Sequence, residues 1–220
     1  MTTTELLPLG QSIPPAVLKK DFVKLEDKPY GQPALGYSVV LPNDWLQLKL
    51  KATDARLHVE HPKLLSTFLG PKDDGGNPMF QVWCQGLIRE ISAGDWLKDF
   101  LTRTGHEIIS LEIRSAYLAD ALVTRRDGPV LLKIRYSARL AGYRLFLCEG
   151  AAPDDLFPKY ADGFGLASCT FKPTLSPTTR TSRSGRRIPW TMPFPSMRHS
   201  RGLNGTRRHR KAWTWWTFTT

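Results

Sequence analysis

Val130-Leu-Leu-Lys-Ile-Arg-Tyr-Ser-Ala-Arg139, followed by Leu140-Ala141-Gly142 and Tyr143-Arg-Leu-Phe-Leu-Cys148, is the stretch that decides the fold. Two runs rich in strand formers flank a glycine turn, which reads as two antiparallel strands. Ile108–Ile113 and Ala121–Arg125 precede them as further strands, and Asp127-Gly128 supplies another turn, so a meander is expected. Upstream of the meander, Met79-Phe-Gln-Val-Trp-Cys84 continues to Ile91 as a strand. A helix follows: Ser92 is its N-cap, Asp95 lies in its first turn, and Gly105 suits a left-handed C-terminal position. Between them Ala93, Trp96, Leu97, Phe100 and Leu101 fall on one stripe.

The remaining segments give the same kind of domain. Gly36–Leu41 reads as a strand closed by the turn Pro42-Asn43-Asp44. Trp45–Lys51 alternates apolar and polar residues, which predicts a strand with Leu46, Leu48 and Leu50 on one face. Turn formers are too dense over Gly70–Pro78 for anything but a loop. Near the end, Pro153-Asp154-Asp155 signals a helix bearing Phe157, Tyr160, Ala161 and Phe164, with Gly163 and Gly165 near its end, and Ala167–Lys172 reads as a closing strand. The expected class is α+β, an antiparallel sheet with helices on its faces. Residues 1–29 form an arm with a short helical or extended piece from Ala16 to Leu25, residues 30–172 form the domain, and residues 173–220 form a disordered basic tail.

Charge divides the chain at the same place. Residues 173–220 hold 10 of the 31 Lys and Arg and no acid, which leaves 21 basic against 20 acidic residues in residues 1–172. The net charge of +11 therefore speaks for a polyanion partner only in the tail. There Arg207, Arg208, Arg210 and Lys211 adjoin Trp213, Trp215 and Trp216, a mixture suited to nucleic acid or an anionic membrane. An extension without function, such as an out-of-frame reading produces, remains the alternative for this composition. No signal peptide is legible at the N-terminus and no apolar run is long enough to cross a bilayer, so a cytoplasmic protein is expected. Cys84, Cys148 and Cys169 read as buried free thiols.

No residue pattern calls for catalysis, a metal or a cofactor. His58 and His61 flank Glu60 but lack further ligands. The cysteines and His106 have nothing nearby in sequence to activate a thiolate, the pair Asp73-Asp74 sits in a loop, and Asp154-Asp155 reads as helix N-terminal charge. The residues expected to meet a partner are Trp45 and Trp83, aromatic groups able to rim a groove, and Arg125 and Arg126 at a hairpin end.

Five features occur in an order that resembles the PsbP-like superfamily. These are Tyr37-Ser-Val-Val-Leu-Pro42 followed by Trp45, the helix Ser92–Thr104 after a β segment, several antiparallel strands, Ala152-Pro153 before a helix, and the closing Ser168-Cys-Thr-Phe171. That group includes the photosystem PsbP proteins, the DcrB lipoproteins, a yeast nuclear-import factor that binds Ran, and the EagR chaperones of secretion effectors. The resemblance covers about residues 30–172 and implies an α/β/α sandwich that works by binding and carries no catalytic residue. The DcrB lipobox and the PsbP transit peptide have no counterpart here, so the cytoplasmic relatives fit best. The expected function is a protein-binding adaptor or chaperone serving a secretion or conjugation apparatus. A nucleic-acid-binding accessory protein that acts through its tail is the alternative.

Overall fold

The computed structural model describes residues 13–48, 56–73 and 76–174. The short helix α1 (Pro15–Asp21) leads into β1 (Phe22–Asp27) and β2 (Tyr37–Pro42). β3 (Leu46–Leu48), β4 (Lys63–Leu69) and β5 (Met79–Gly86) follow, then α2 (Ala93–Thr104). A meander of β6 (Glu107–Ser115), β7 (Leu118–Asp127), β8 (Val130–Ala141) and β9 (Arg144–Pro153) precedes α3 (Phe157–Thr170) and the two-residue β10 (Lys172–Pro173). Strands β3 to β9 make one antiparallel sheet in the order β3-β4-β5-β9-β8-β7-β6, and β1-β2-β10 make a second.

Alternation along the strands separates two cores. On β9, Leu145, Leu147 and Ala151 point to the face under α2, where they join Trp96, Leu97 and Leu101 of that helix. Phe146, Cys148 and Ala152 point the other way, to Val39 and Leu41 of β2 and Phe157 and Phe164 of α3. Each buried Leu, Val or Phe among these contributes about 1.5–3 kcal/mol. α2 therefore lies against β6, β7 and β8 on one face of the large sheet, and α3 with β2 covers the other.

The caps of α2 are the ones its sequence predicts. The Ser92 hydroxyl accepts the Asp95 backbone N–H at 3.0 Å, and Gly105 takes the left-handed conformation at φ 71°. The meander strands and the last two of its turns also fall where expected, with positive φ at Gly128 and Gly142 starting two-residue hairpin loops.

Three local expectations are corrected, and one strand, β4, was not anticipated. β3 is only three residues long and its Leu46 is 65% exposed, so it does not present an apolar face to the core; Leu50 lies outside the described residues. β4 carries no sequence alternation because its central residues are buried on both sides, and a bulge between Leu64 and Ser66 shifts its register. The segment around Ala167 is the end of α3, not a strand: Phe164, Ala167 and Ser168 continue one buried helical stripe. Asp154 and Asp155 precede α3 without charging its first turn; Asp154 pairs with Lys133 at 3.5 Å.

Part of the segment read as an arm belongs to the fold as β1. Its Asp27 ties the two sheets together, accepting Ser66 Oγ at 2.6 Å, Gln47 Nε2 at 3.0 Å and Tyr37 Oη at 3.2 Å. On the α3 side of the large sheet a charged group is also buried. Arg135, 0% exposed, lies 4.0 Å from Asp120, which Arg114 holds at 2.6 Å. Of the cysteines, Cys84 and Cys148 are buried, whereas Cys169 lies in α3 and is exposed, against the expectation of three buried thiols. Burial pushes the Cys84 thiol up to about 12 and raises Cys148 as well.

Candidate functional site

Two regions draw on residues from several elements. The first is a polar cluster on the α2 face of the large sheet. Glu149 of β9 stands opposite Tyr136 on β8 and Gln81 on β5, so all three share a face. Its carboxyl is 6% exposed and accepts Trp83 Nε1 at 3.0 Å. Burial raises its pKa, while Arg125 and the hydrogen bonds from Trp83 and Tyr136 pull it down. Tyr136 also meets His106 Nε2 at 3.2 Å, and His106 Nδ1 lies 2.6 Å from Thr104 Oγ1.

The Thr104 hydrogen bond sets the imidazole tautomer. Thr104 donates to the Phe100 carbonyl at 2.8 Å, so its oxygen accepts from His106 Nδ1–H. The Tyr136 hydroxyl faces both the other imidazole nitrogen and the Glu149 carboxyl. Burial, with Arg125 nearby, holds the imidazole near 4, which agrees with a neutral ring. The cluster fixes the Trp83 indole and the end of α2. Phe100 packs against both His106 and Tyr136, at 6.2 Å and 5.7 Å between centroids.

The second region is a groove at the end of the sheet. The β5–α2 connection, the β6–β7 turn and the β8–β9 turn enclose about 770 Å³ between Leu87, Ile91, Ser92, Ala116, Leu140 and Gly142. Three backbone bonds hold these loops to one another: Leu87 N–H to the Tyr143 carbonyl, Ala93 N–H to Ala116, and Leu140 N–H to Tyr117. On this frame Tyr117 and Tyr143 stand 69% and 70% exposed. Arg89, Glu90 and Asp95 supply charge at the rim.

The residues expected from the sequence separate into these surroundings. Trp83 and Arg125 converge on Glu149. Arg126, the next residue on β7, points to the opposite face. Trp45 packs edge-on against Phe164 and Tyr160 of α3, with centroids 5.9 Å and 6.4 Å away. The tail residues Arg207, Arg208, Arg210, Lys211, Trp213, Trp215 and Trp216 lie outside the described residues. His58 and His61 stack at 4.6 Å, and among the described residues no group of three or more metal-ligating side chains forms. Asp73 pairs with Lys159 at 2.6 Å; Asp74 lies outside the described residues.

Sequence reasoning missed Tyr117 and Tyr143. The turn at Ala116-Tyr117 contains none of the usual turn formers, and Tyr143 reads as the first residue of a strand when it is the second residue of the turn begun by Gly142.

A seven-stranded antiparallel sheet with α2 on one face and α3 plus a small sheet on the other is an α/β/α sandwich, and its fold is PsbP-like. The solution structure of cyanobacterial PsbP (CyanoP) from Synechocystis sp. PCC 6803 matches with a TM-score of 0.52 at 13% identity, over 70% of this chain and 92% of that one. LpqN of Mycobacterium tuberculosis, involved in cell envelope biogenesis, matches with a TM-score of 0.47 at 12% identity, over 71% and 94% of the two chains. By sequence, no family description and no curated protein matches the chain.

Proposed function

We propose that the domain is a non-enzymatic binding module, an adaptor or chaperone that holds a segment of a client protein in the groove at the turn end of the sheet. The observation that carries this reading is the pair of exposed tyrosines, Tyr117 and Tyr143, mounted on loops braced by backbone hydrogen bonds around an open groove. Aromatic side chains on rigid supports give large contact area at small entropic cost and often dominate binding energy. Leu87, Ile91 and Leu140 line the groove with apolar surface, and Arg89 and Glu90 offer charges that set the direction of a bound segment. Trp45, with Phe164 and Tyr160 packed against it, has a packing role in this reading.

Peptides selected from a random display library on the full chain test this. Selected peptides are expected to be apolar and to lose about thirtyfold in affinity on Tyr117→Ala or Tyr143→Ala, the effect of an anchor worth about 2 kcal/mol. Failure to select any peptide, or binding indifferent to both substitutions, would overturn the assignment.

A further inference from the structure

β6 is an outermost strand. All its pairing goes to β7, and no strand meets its other edge among the described residues. The opposite edge strand, β3, spans three residues, whereas β6 spans nine. An open edge of that length is a template for another strand, and sheets that must avoid pairing blunt such edges with proline, charge or bulges. β6 has no proline. Its bulges, between Ile108 and Ser110 and between Ile113 and Ser115, leave the stretch Ser110–Ile113 regular. Ile108 and Ile113 are 40% and 62% exposed on this edge strand.

The side chains divide by face. Ile108 and Ile113 stand opposite Val123 and Ala119, on the α2 side. Glu107 stands opposite Thr124, and Arg114 reaches Asp120, both on the other side.

We propose that β6 pairs antiparallel with β6 of a second copy about a twofold axis, so that the two large sheets continue through the dimer. An axis through Leu111, with the bulge residue Ile109 taking up the unequal count on its two sides, sets Ile108 against the partner's Ile113 on one face and Glu107 against the partner's Arg114 on the other, each pair occurring twice. Charge complementarity selects this occupant. A strand lying along β6 meets Glu107 near one end, Arg114, itself paired with Asp120 and Glu112, near the other, and an isoleucine beside each, and β6 reversed sets an opposite charge or an apolar residue against all four. Such an isologous contact closes on itself and leaves no open β6 edge for further growth.

Sedimentation velocity of the full chain over a range of concentrations is expected to show a dimer. Ile113→Lys, which sets a charge against Ile108 at both ends, and Glu107→Lys, which sets like charges together, are each expected to weaken it at least tenfold while circular dichroism stays unchanged. Independently, the Ile108→Cys/Ile113→Cys protein in a Cys169→Ser background is expected to form an intermolecular disulfide under mild oxidation, a readout that disrupts no pairing. A protein that stays monomeric at every concentration, a dimer insensitive to both lysine substitutions, or a double-cysteine protein that never cross-links would overturn the proposal.

Discussion

His106 is bound at both ring nitrogens, by Thr104 and Tyr136, and burial with the Arg125 charge holds its pKa near 4 against an ordinary 6.5. Between those values the unfolded chain takes up a proton that the folded chain refuses. Stability is therefore lost as pH falls from about 6.5 toward 4. Glu149 acts in the opposite sense. Its raised pKa means that the folded carboxyl keeps a proton the unfolded chain releases above 4.5, so its contribution is lost as pH rises from 4.5 through the raised folded value. The groups facing this pair are Arg125 from β7, Tyr136 from β8, and Trp83 from β5. Thermal melts between pH 4 and 8 are expected to show a shallower acid limb for His106→Gln and a shallower upper limb for Glu149→Gln. Curves parallel to the parent's would show that these groups do not titrate with folding. None of this was legible in the sequence, which offers His106 only as a candidate partner for a cysteine; Tyr136 lies 30 positions away and meets it only through the packing of α2 on β8.

At the scale of elements, α2 was readable because its own residues supply its cap, stripe and stop. α3 was half readable. Gly163 and Gly165 suggest an end, yet the helix runs to Thr170 because Phe164 lies on the sheet where β9 has no side chain, at Gly150. A methyl group there would come within 2.5 Å of the Phe164 ring. Gly150→Ala is accordingly expected to destabilise by about 1–3 kcal/mol, the usual range for overpacking a filled interior, and denaturant unfolding with an unchanged m-value would measure it. A neutral result would mean that α3 can lift away from β9 without loss. β4 escaped notice for the reverse reason: a strand buried on both faces shows no alternation, and the periodic signal that identifies a half-exposed strand is absent.

For the whole molecule, backbone pairing continues past Phe171, where the apolar periodicity of the sequence stops. Lys172 and Pro173 pair with β2, and Thr174 N–H donates to the Gly36 carbonyl at 2.7 Å. A chain ending at Thr174 is expected to melt cooperatively near the temperature of the full chain. Binding to DNA or anionic vesicles is expected to belong to the residues removed, and to fall steeply with salt because it depends on counterion release. Salt-resistant binding by the shortened protein would contradict that division. The sequence by itself determined the antiparallel meander, the α2 helix, the α+β class and the split between a nearly neutral domain and a basic tail. These depend on local periodicity, turn chemistry and composition, which each segment carries independently of its neighbours. Only the tertiary structure decided that β1 joins the fold, that Trp83 and Arg125 meet at Glu149 while Trp45 packs under α3, and that Tyr117 and Tyr143 flank one groove. Those outcomes depend on strand register and on which residues far apart in the chain share a face, and a single segment carries no record of its partner.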